Sequence, residues 1–208
     1  MTLLVAVLSV VFGVIVGFLG AGAKLSRWRI LRFLADAYTT IIRGIPDLII
    51  LLLLYFGGTV TLTRLAGHYV EVNGLSAGIF ALGLVFGAYA TEVFRGAILA
   101  VPRGQIEAAR ALGLRPVPLF RKVMLPQIWR FALPGLGNLW QGLLKNTSLI
   151  SVVGLEELMR KTAITAGATR QPFTFYLVAA LIYLVFTLVS EALQHQAERR
   201  VKRGFGSH

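Results

Sequence analysis

Five runs of about twenty mostly apolar residues alternate with short polar segments along the chain, at roughly 3–22, 44–62, 75–98, 131–153 and 173–195. A helix rises 1.5 Å per residue, so about twenty such residues cross a hydrocarbon core of about 30 Å. The pattern predicts an all-α membrane protein of five spanning helices, with residues 1–208 forming a single domain. The first run, MTLLVAVLSVVFGVIVGFLG, has no Lys or Arg ahead of it. It lacks the charged start of a signal peptide and is expected to be a retained first span. Gly13 and Gly17, and Gly83 and Gly87, are spaced four apart. Such pairs let helix backbones approach closely in lipid, although spans also tolerate Gly for no packing reason.

Charge orients the runs. The segments after the first and third runs and the C-terminal tail, counted with Arg95 in the last turn of the third run, carry sixteen of the 21 Lys and Arg residues, the segments after the second and fourth runs carry four, and Lys145 stands within the fourth run. Basic loops stay on the cytoplasmic side, which predicts an external N-terminus and a cytoplasmic C-terminus. The formal net charge of +12 raises the alternative of a nucleic-acid partner, but the cations sit between apolar runs rather than along one face, so no nucleic acid is expected. A hydrophobic fraction of 56% and a mean hydropathy of +0.74 exclude a soluble enzyme. The chain has no Cys, and its three His (His68, His195, His208) are scattered, so thiol catalysis and a metal cluster are not expected.

Asp47, Glu92, Lys145, Asn146 and Glu191 interrupt the apolar runs or lie at their edges. A charge at mid-membrane costs about 2.5–3.5 kcal/mol on insertion scales, so such residues are candidates for a solute pathway. The three acids among them also have a purely structural explanation: Glu92 pairs with Arg95 one turn on, Asp47 caps a helix start beside Arg43, and Glu191 lies near a span end. Glu156 and Glu157 follow the fourth run on the side away from the basic loops, either as acids at an entrance or as a solvated face balanced by Arg160 and Lys161.

The stretch RGQIEAARALGLRPVPLF, residues 103–120, is polar and Ala-rich. Pro102 before it and Pro116 and Pro118 after it bracket a short helix of about 103–113, with Gly113 where a left-handed C-terminal cap falls. Its small side chains allow a protein groove to approach the backbone, and Glu107 and Arg110 offer charged anchors. The alternative is an amphipathic helix lying on lipid headgroups.

The segment EAARALG followed by LP at Leu125 and Pro126 resembles the EAA motif of binding-protein-dependent ABC importer permeases, through Glu107, Ala108, Ala109 and Gly113. GAYATEVFRGAILAVPRGQIEAARALGL, LPQIWRFALPGLGNLWQGLLKNTSLISVVGLEEL and YTTIIRGIPDL extend the resemblance, over nearly the whole chain, to permeases for polar amino acids. AGAKLS, Asp47 after RGIP, and GLEEL are most similar to the first of the paired permeases of the histidine, lysine, arginine and ornithine type, with opine permeases next. Many relatives in the wider family carry an apolar residue where Asp47 stands.

The resemblance implies a MetI-like five-helix permease core in a bacterial inner membrane. It also implies a second homologous permease subunit (identical or not), two ATPase subunits that bind ATP and Mg, an external solute-binding protein, an amino-acid substrate and surrounding lipid. The coupling residues it implies are Glu107, Ala108, Ala109, Arg110, Gly113, Leu125 and Pro126. Asp47, Glu92, Glu156 and Glu157 are the candidate pathway acids for a basic solute. The chain contains no GxxxxGK[ST] loop, so no cofactor is expected on it and ATP must act from a partner. Two other classes remain: a secondary transporter using Glu92 as an ion site, and a membrane scaffold without transport, which the polar residues inside the runs disfavour.

Overall fold

The computed structural model describes residues 1–203, so His208 lies outside the described residues. The order is α1 (Thr2–Lys24), α2 (Arg29–Gly44), α3 (Asp47–Ala66), α4 (Gly74–Leu99), α5 (Arg103–Ala111), α6 (Pro116–Leu119), a π-helical turn (Phe120–Met124), α7 (Leu125–Asn146), a 3₁₀ segment (Thr147–Val153), α8 (Leu158–Thr169) and α9 (Pro172–Arg203). Four of these helices, α1, α3, α4 and α9, are long and apolar enough to cross a membrane.

The fourth predicted run, 131–153, is divided. Its first part belongs to α7, which starts earlier at Leu125, carries Pro134 inside it and holds Arg130 and Lys145; its last part is the 3₁₀ segment. Proline removes a backbone donor, and these charges lower the mean hydropathy, so α7 lacks the uniform apolar character of the other four. The segment between the first two runs, expected as a connection, folds as α2. One side of α2 packs on α1 and α4 through Ala35 and Thr39, while Arg29, Ile30, Arg32 and Phe33 are exposed.

α4 is the centre of the molecule and the most enclosed of the four long helices. α1 lies along it through a stripe of one residue in four, Val5, Ser9, Gly13, Gly17 and Ala21, all buried. The two glycine pairs face each other across this contact: a Cβ on Gly13 would come 2.8 Å from the Gly83 carbonyl oxygen, one on Gly17 2.6 Å from the Ala90 Cβ, and one on Gly87 2.8 Å from Val16. The glycines therefore serve close approach of two backbones, where dispersion supplies the attraction that hydrophobicity cannot supply between helices in lipid. α3 and α7 pack on other sides of α4, and α9 on α7 and α8.

Local signals set the ends. The Asn73 side chain accepts a hydrogen bond from the Leu75 N–H at 2.8 Å at the start of α4. Gly67, at φ +73°, ends α3. In the loop between these helices Glu71 accepts a hydrogen bond from the Tyr55 hydroxyl.

Gly17→Val places branched carbons where 2.6 Å is available, and overpacking of this kind costs about 1–3 kcal/mol. The purified protein in detergent is expected to melt at lower temperature, whereas Gly22→Ala, with no atom near its added carbon, melts as the parent does. Equal melting of both variants would show that α1 does not depend on this contact.

Candidate solute cavity and coupling helix

The bracketed stretch folds as α5, Arg103–Ala111, after Pro102 at its N-cap. Its C-terminal turn closes with the Gly113 N–H on the Arg110 carbonyl at 2.9 Å and the Leu114 N–H on the Ala109 carbonyl at 3.1 Å. Gly113 has φ +74°, which completes a left-handed cap of the Schellman kind. Glu107, Ala108 and Arg110 are exposed, Ala109 is buried, and Leu112, 80% exposed, extends the outer face. Leu125 and Pro126 open α7. Between α5 and α7 the chain turns through α6 and the π-helical turn; such turns are rare and recur at functional sites.

Phe120 in that turn meets Phe18 of α1 with ring centroids 6.4 Å apart. Phe94 of α4 lies between Phe18, at 5.5 Å, and Trp129 of α7, at 5.8 Å, both edge-on. An aromatic cluster thus connects the region beside α5 to three long helices.

Asp47 is the first residue of α3, but its side chain makes no capping bond there; the N-cap is Pro46. The expected cap beside Arg43 is replaced by a cross-molecule contact, in which Asp47 Oδ2 accepts a hydrogen bond at 2.6 Å from Asn146 Nδ2, 99 residues away. Arg43 instead lies over the Tyr89 ring, 5.1 Å from its centroid. Asp47 and Asn146 line a cavity of about 220 Å³ whose wall includes Phe86 and Tyr89 from α4 and Asn138 and Gly142 from α7. A carboxylate, two carboxamides and a phenol ring suit a solute that carries both charge and hydrogen-bonding groups. Asn146 is one of the polar interruptions expected from the sequence, whereas Asn138 and Tyr89 are site residues the sequence reading does not single out. The signal available was the recurrence of amides along one side of α7, within a run otherwise read as apolar.

The other candidate acids lie elsewhere. Glu92 is one turn from Tyr89 and does not line the cavity; both its oxygens are engaged, by Lys24 at 2.5 Å and by Arg95 at 2.9 Å. The pairing with Arg95 was expected, the one with Lys24 was not. Glu157 is not part of a solvated face. It is 2% exposed, caps α8 by accepting from the Arg160 N–H at 2.8 Å, and accepts a bond from the Tyr183 hydroxyl at 3.3 Å. A carboxylate so placed is buried because a helix start and a phenol satisfy it. Glu156 is exposed beside a separate cavity of about 300 Å³ that Met1 and Lys161 also line. Glu191 is 3.7 Å from His195 within α9. Lys145 lines a larger, mainly apolar cavity of about 600 Å³ with Tyr176 and Tyr183.

Comparisons with known proteins agree with this architecture. Residues 6–203 match the family described as "Binding-protein-dependent transport system inner membrane component". The chain is 50% identical to the nopaline transport system permease protein NocQ of Agrobacterium fabrum, over 100% of this chain and 90% of that protein. It is 46% identical to the histidine/lysine/arginine/ornithine transport system permease protein HisQ of Escherichia coli, over 98% and 91% respectively. A crystal structure of an amino acid ABC transporter with histidines superposes with a TM-score of 0.83 at 36% identity, covering 96% of this chain and 90% of that one. The MetNI methionine ABC transporter in an inward-facing conformation has the same fold, with a TM-score of 0.77 at 23% identity over 96% of this chain and 92% of that one. With its α1–α4 core, its exposed helix between α4 and α7 and a match over nearly its whole length, the chain belongs to the family of inner membrane components of binding-protein-dependent transport systems.

Proposed function

We propose that the chain is one permease subunit of an ATP-driven importer for basic amino acids or opines in a bacterial inner membrane. The observation that carries the reading is Asp47: a carboxylate in a cavity among the long helices, held by an amide rather than neutralised by a cation. A guanidinium or ammonium entering a low-dielectric pathway needs such a partner, because an unpaired charge there is expensive. Asn138, Asn146 and Tyr89 supply further hydrogen-bonding groups around it. The similarity to permeases named for histidine, lysine, arginine, ornithine and nopaline favours the same solute class.

In this reading α7 and its 3₁₀ extension form the fifth crossing, the N-terminus is external and the C-terminus is cytoplasmic. Support comes from the sixteen-to-four partition of basic residues. A second homologous permease, identical or related, completes the pathway, and an external binding protein delivers the solute. Two ATPase subunits bind ATP and Mg and grip α5. Their closure moves α5, the movement passes through the π-helical turn into α7 and the aromatic cluster, and the cavity changes the side to which it opens. Every step on this chain is conformational.

Orientation is checked by placing a thiol at residue 110 with Arg110→Cys. An impermeant maleimide is expected to label it only after the cells are opened, and efficient labelling in intact cells would reverse the assignment.

Glu107→Lys inverts an anchor of α5, and Gly113→Val imposes φ +74° on a β-branched residue, at a cost of about 1–2 kcal/mol. Both variants are expected to insert normally and to hydrolyse ATP without matching uptake. Solute-stimulated hydrolysis and uptake at parental levels in both would remove the coupling role of α5.

Asp47→Asn keeps size and removes charge. Charged hydrogen bonds contribute roughly 1.5–3 kcal/mol, so arginine uptake by the reconstituted complex is expected to fall about tenfold or more while basal ATP hydrolysis persists. Glu92→Gln, Glu156→Gln and Glu157→Gln, run in parallel, identify any further acid on the path. Unchanged affinity and rate in Asp47→Asn would move the cation site off this residue.

A further inference from the structure

The carboxylate of Glu92 belongs to a cluster of four charges that the solute cavity does not use. Lys24, the last residue of α1, sets its Nζ 2.5 Å from Glu92 Oε1 on α4 and 2.9 Å from Asp36 Oδ1 on α2. Arg95 holds the other oxygen of Glu92. The Lys24 side chain is 9% exposed, whereas that of Asp36 is 54% exposed. An enclosed ammonium that loses one of its carboxylates keeps its desolvation cost and loses part of the compensation. Lys24 therefore resists any displacement of α2 relative to α4.

What rides on those two helices gives the clamp its meaning. α4 carries Phe86 and Tyr89 into the cavity wall, Tyr89 one turn from Glu92, and leads from Leu99 through Pro102 into α5. α2 ends at Gly44, and two residues later Asp47 begins α3. Two further contacts tie α2 to α4 nearer the cavity: the Tyr38 hydroxyl donates to the Leu84 carbonyl at 2.6 Å, and Arg43 lies over Tyr89. Neither of these contacts involves a paired carboxylate, so Lys24 is the point where both helices are held by ion pairs from a third.

We propose that Lys24 is a positioning residue for transport: its ammonium clamps α2 to α4, so that a movement arriving through α5 shifts Asp47 and Tyr89 together rather than Tyr89 alone. Lys24 touches no solute and acts through Glu92 and Asp36. The inference rests on the reading of α5 as the coupling helix, and its effect appears in the solute moved per ATP rather than in affinity.

The test uses the complete transporter in proteoliposomes and measures solute moved per ATP, the solute concentration for half-maximal uptake, and the melting temperature of the assembled complex. Lys24→Met removes the charge and keeps most of the stem. It is expected to lower solute moved per ATP by about tenfold, with ATP hydrolysis retained and half-maximal concentration unchanged within about twofold. Lys24→Arg, which keeps the charge and can meet two carboxylates, is expected to restore most of the ratio. Asp36→Asn cuts only the arm to α2, leaves the Lys24–Glu92 pair in place and is expected to lower the ratio less than Lys24→Met does; it carries the test if Lys24→Met does not assemble. A parental ratio in either Lys24→Met or Asp36→Asn, or a lower melting temperature with the ratio intact, overturns the clamp. Glu107→Lys, measured in the same preparation, separates the two ideas. If it uncouples while the Lys24 and Asp36 variants do not, the clamp fails and the α5 reading stands. If it behaves as the parent while they uncouple, the α5 reading fails and Lys24 still stands as a positioning residue that ties α2 to α4, with the movement entering by a route other than α5.

Discussion

The close approach of α1 to α4 is the contact on which the rest of the structure depends. Between helices in lipid, apolar side chains gain little by leaving the hydrocarbon, so attraction must come from atoms packed at van der Waals distance. Gly13 and Gly17 on α1 and Gly83 and Gly87 on α4 bring the backbones that near, and nothing larger fits. Once α1 is seated, Lys24 arrives beside Glu92 and Asp36, and Phe18 arrives beside Phe94 and Phe120. α4 in turn presents Tyr89 and Phe86 to α3 and α7. The cavity and the charge cluster are thus consequences of one small-residue interface, although neither contains a glycine of that interface.

Carboxylates within this frame fall into two kinds. Glu157 is enclosed and accepts from a helix start and from Tyr183, and Glu92 is held between two cations. Satisfied groups of this kind hold elements together and resist exchange, because removing any partner leaves a desolvated charge. Asp47 differs: its recorded hydrogen-bond partner is the neutral Asn146, on the wall of a cavity. An amide donor stabilises a carboxylate without cancelling its charge, and in the proposed function that charge is what meets an entering cation. The proposed division between scaffold acid and pathway acid follows from the partner each acid has, more than from its depth in the chain.

Much of this was legible in the residue pattern. Four of the five apolar runs coincide with helices that can span a membrane, the paired glycines pointed to close packing of spans without saying which helices meet, and the bracketing prolines and Gly113 marked α5 and its cap. What escaped has physical causes. α2 alternates apolar residues with Arg29, Arg32, Asp36 and Arg43, so a window long enough to find a span averages it to neutrality, although its one-sided periodicity is visible in RILRFLADAYTTII. The Asp47–Asn146 and Lys24–Glu92 pairs join residues 99 and 68 apart, and spacing along the chain carries no information about such partners. Local alternatives were assigned instead, correctly for Glu92 with Arg95 and incorrectly for Asp47 with Arg43.

In the proposed function the segment from α5 to α7 carries motion from an exposed helix to a distant cavity. A cap with two closed hydrogen bonds makes α5 a rigid handle, and Pro116 and Pro118 stiffen the next turn, so a push on α5 is not lost in a flexible loop. The π-helical turn that follows interrupts the helical path and is the hinge of the proposed coupling. Phe120 within it is packed on Phe18, and Gln127 just beyond it donates back to the Val123 carbonyl at 2.9 Å. In the proposed coupling, bending there tilts α7 while the aromatic cluster keeps contact with α1 and α4. Asn138 and Asn146 ride on that helix, facing Tyr89 on α4, which Lys24 ties to α2, and Asp47, which starts α3 just after α2 ends. In the proposed function a tilt of α7 opens or closes the cavity along the seam bridged by the Asp47–Asn146 hydrogen bond, and that bond joins the part moved through α5 to the part held by Lys24.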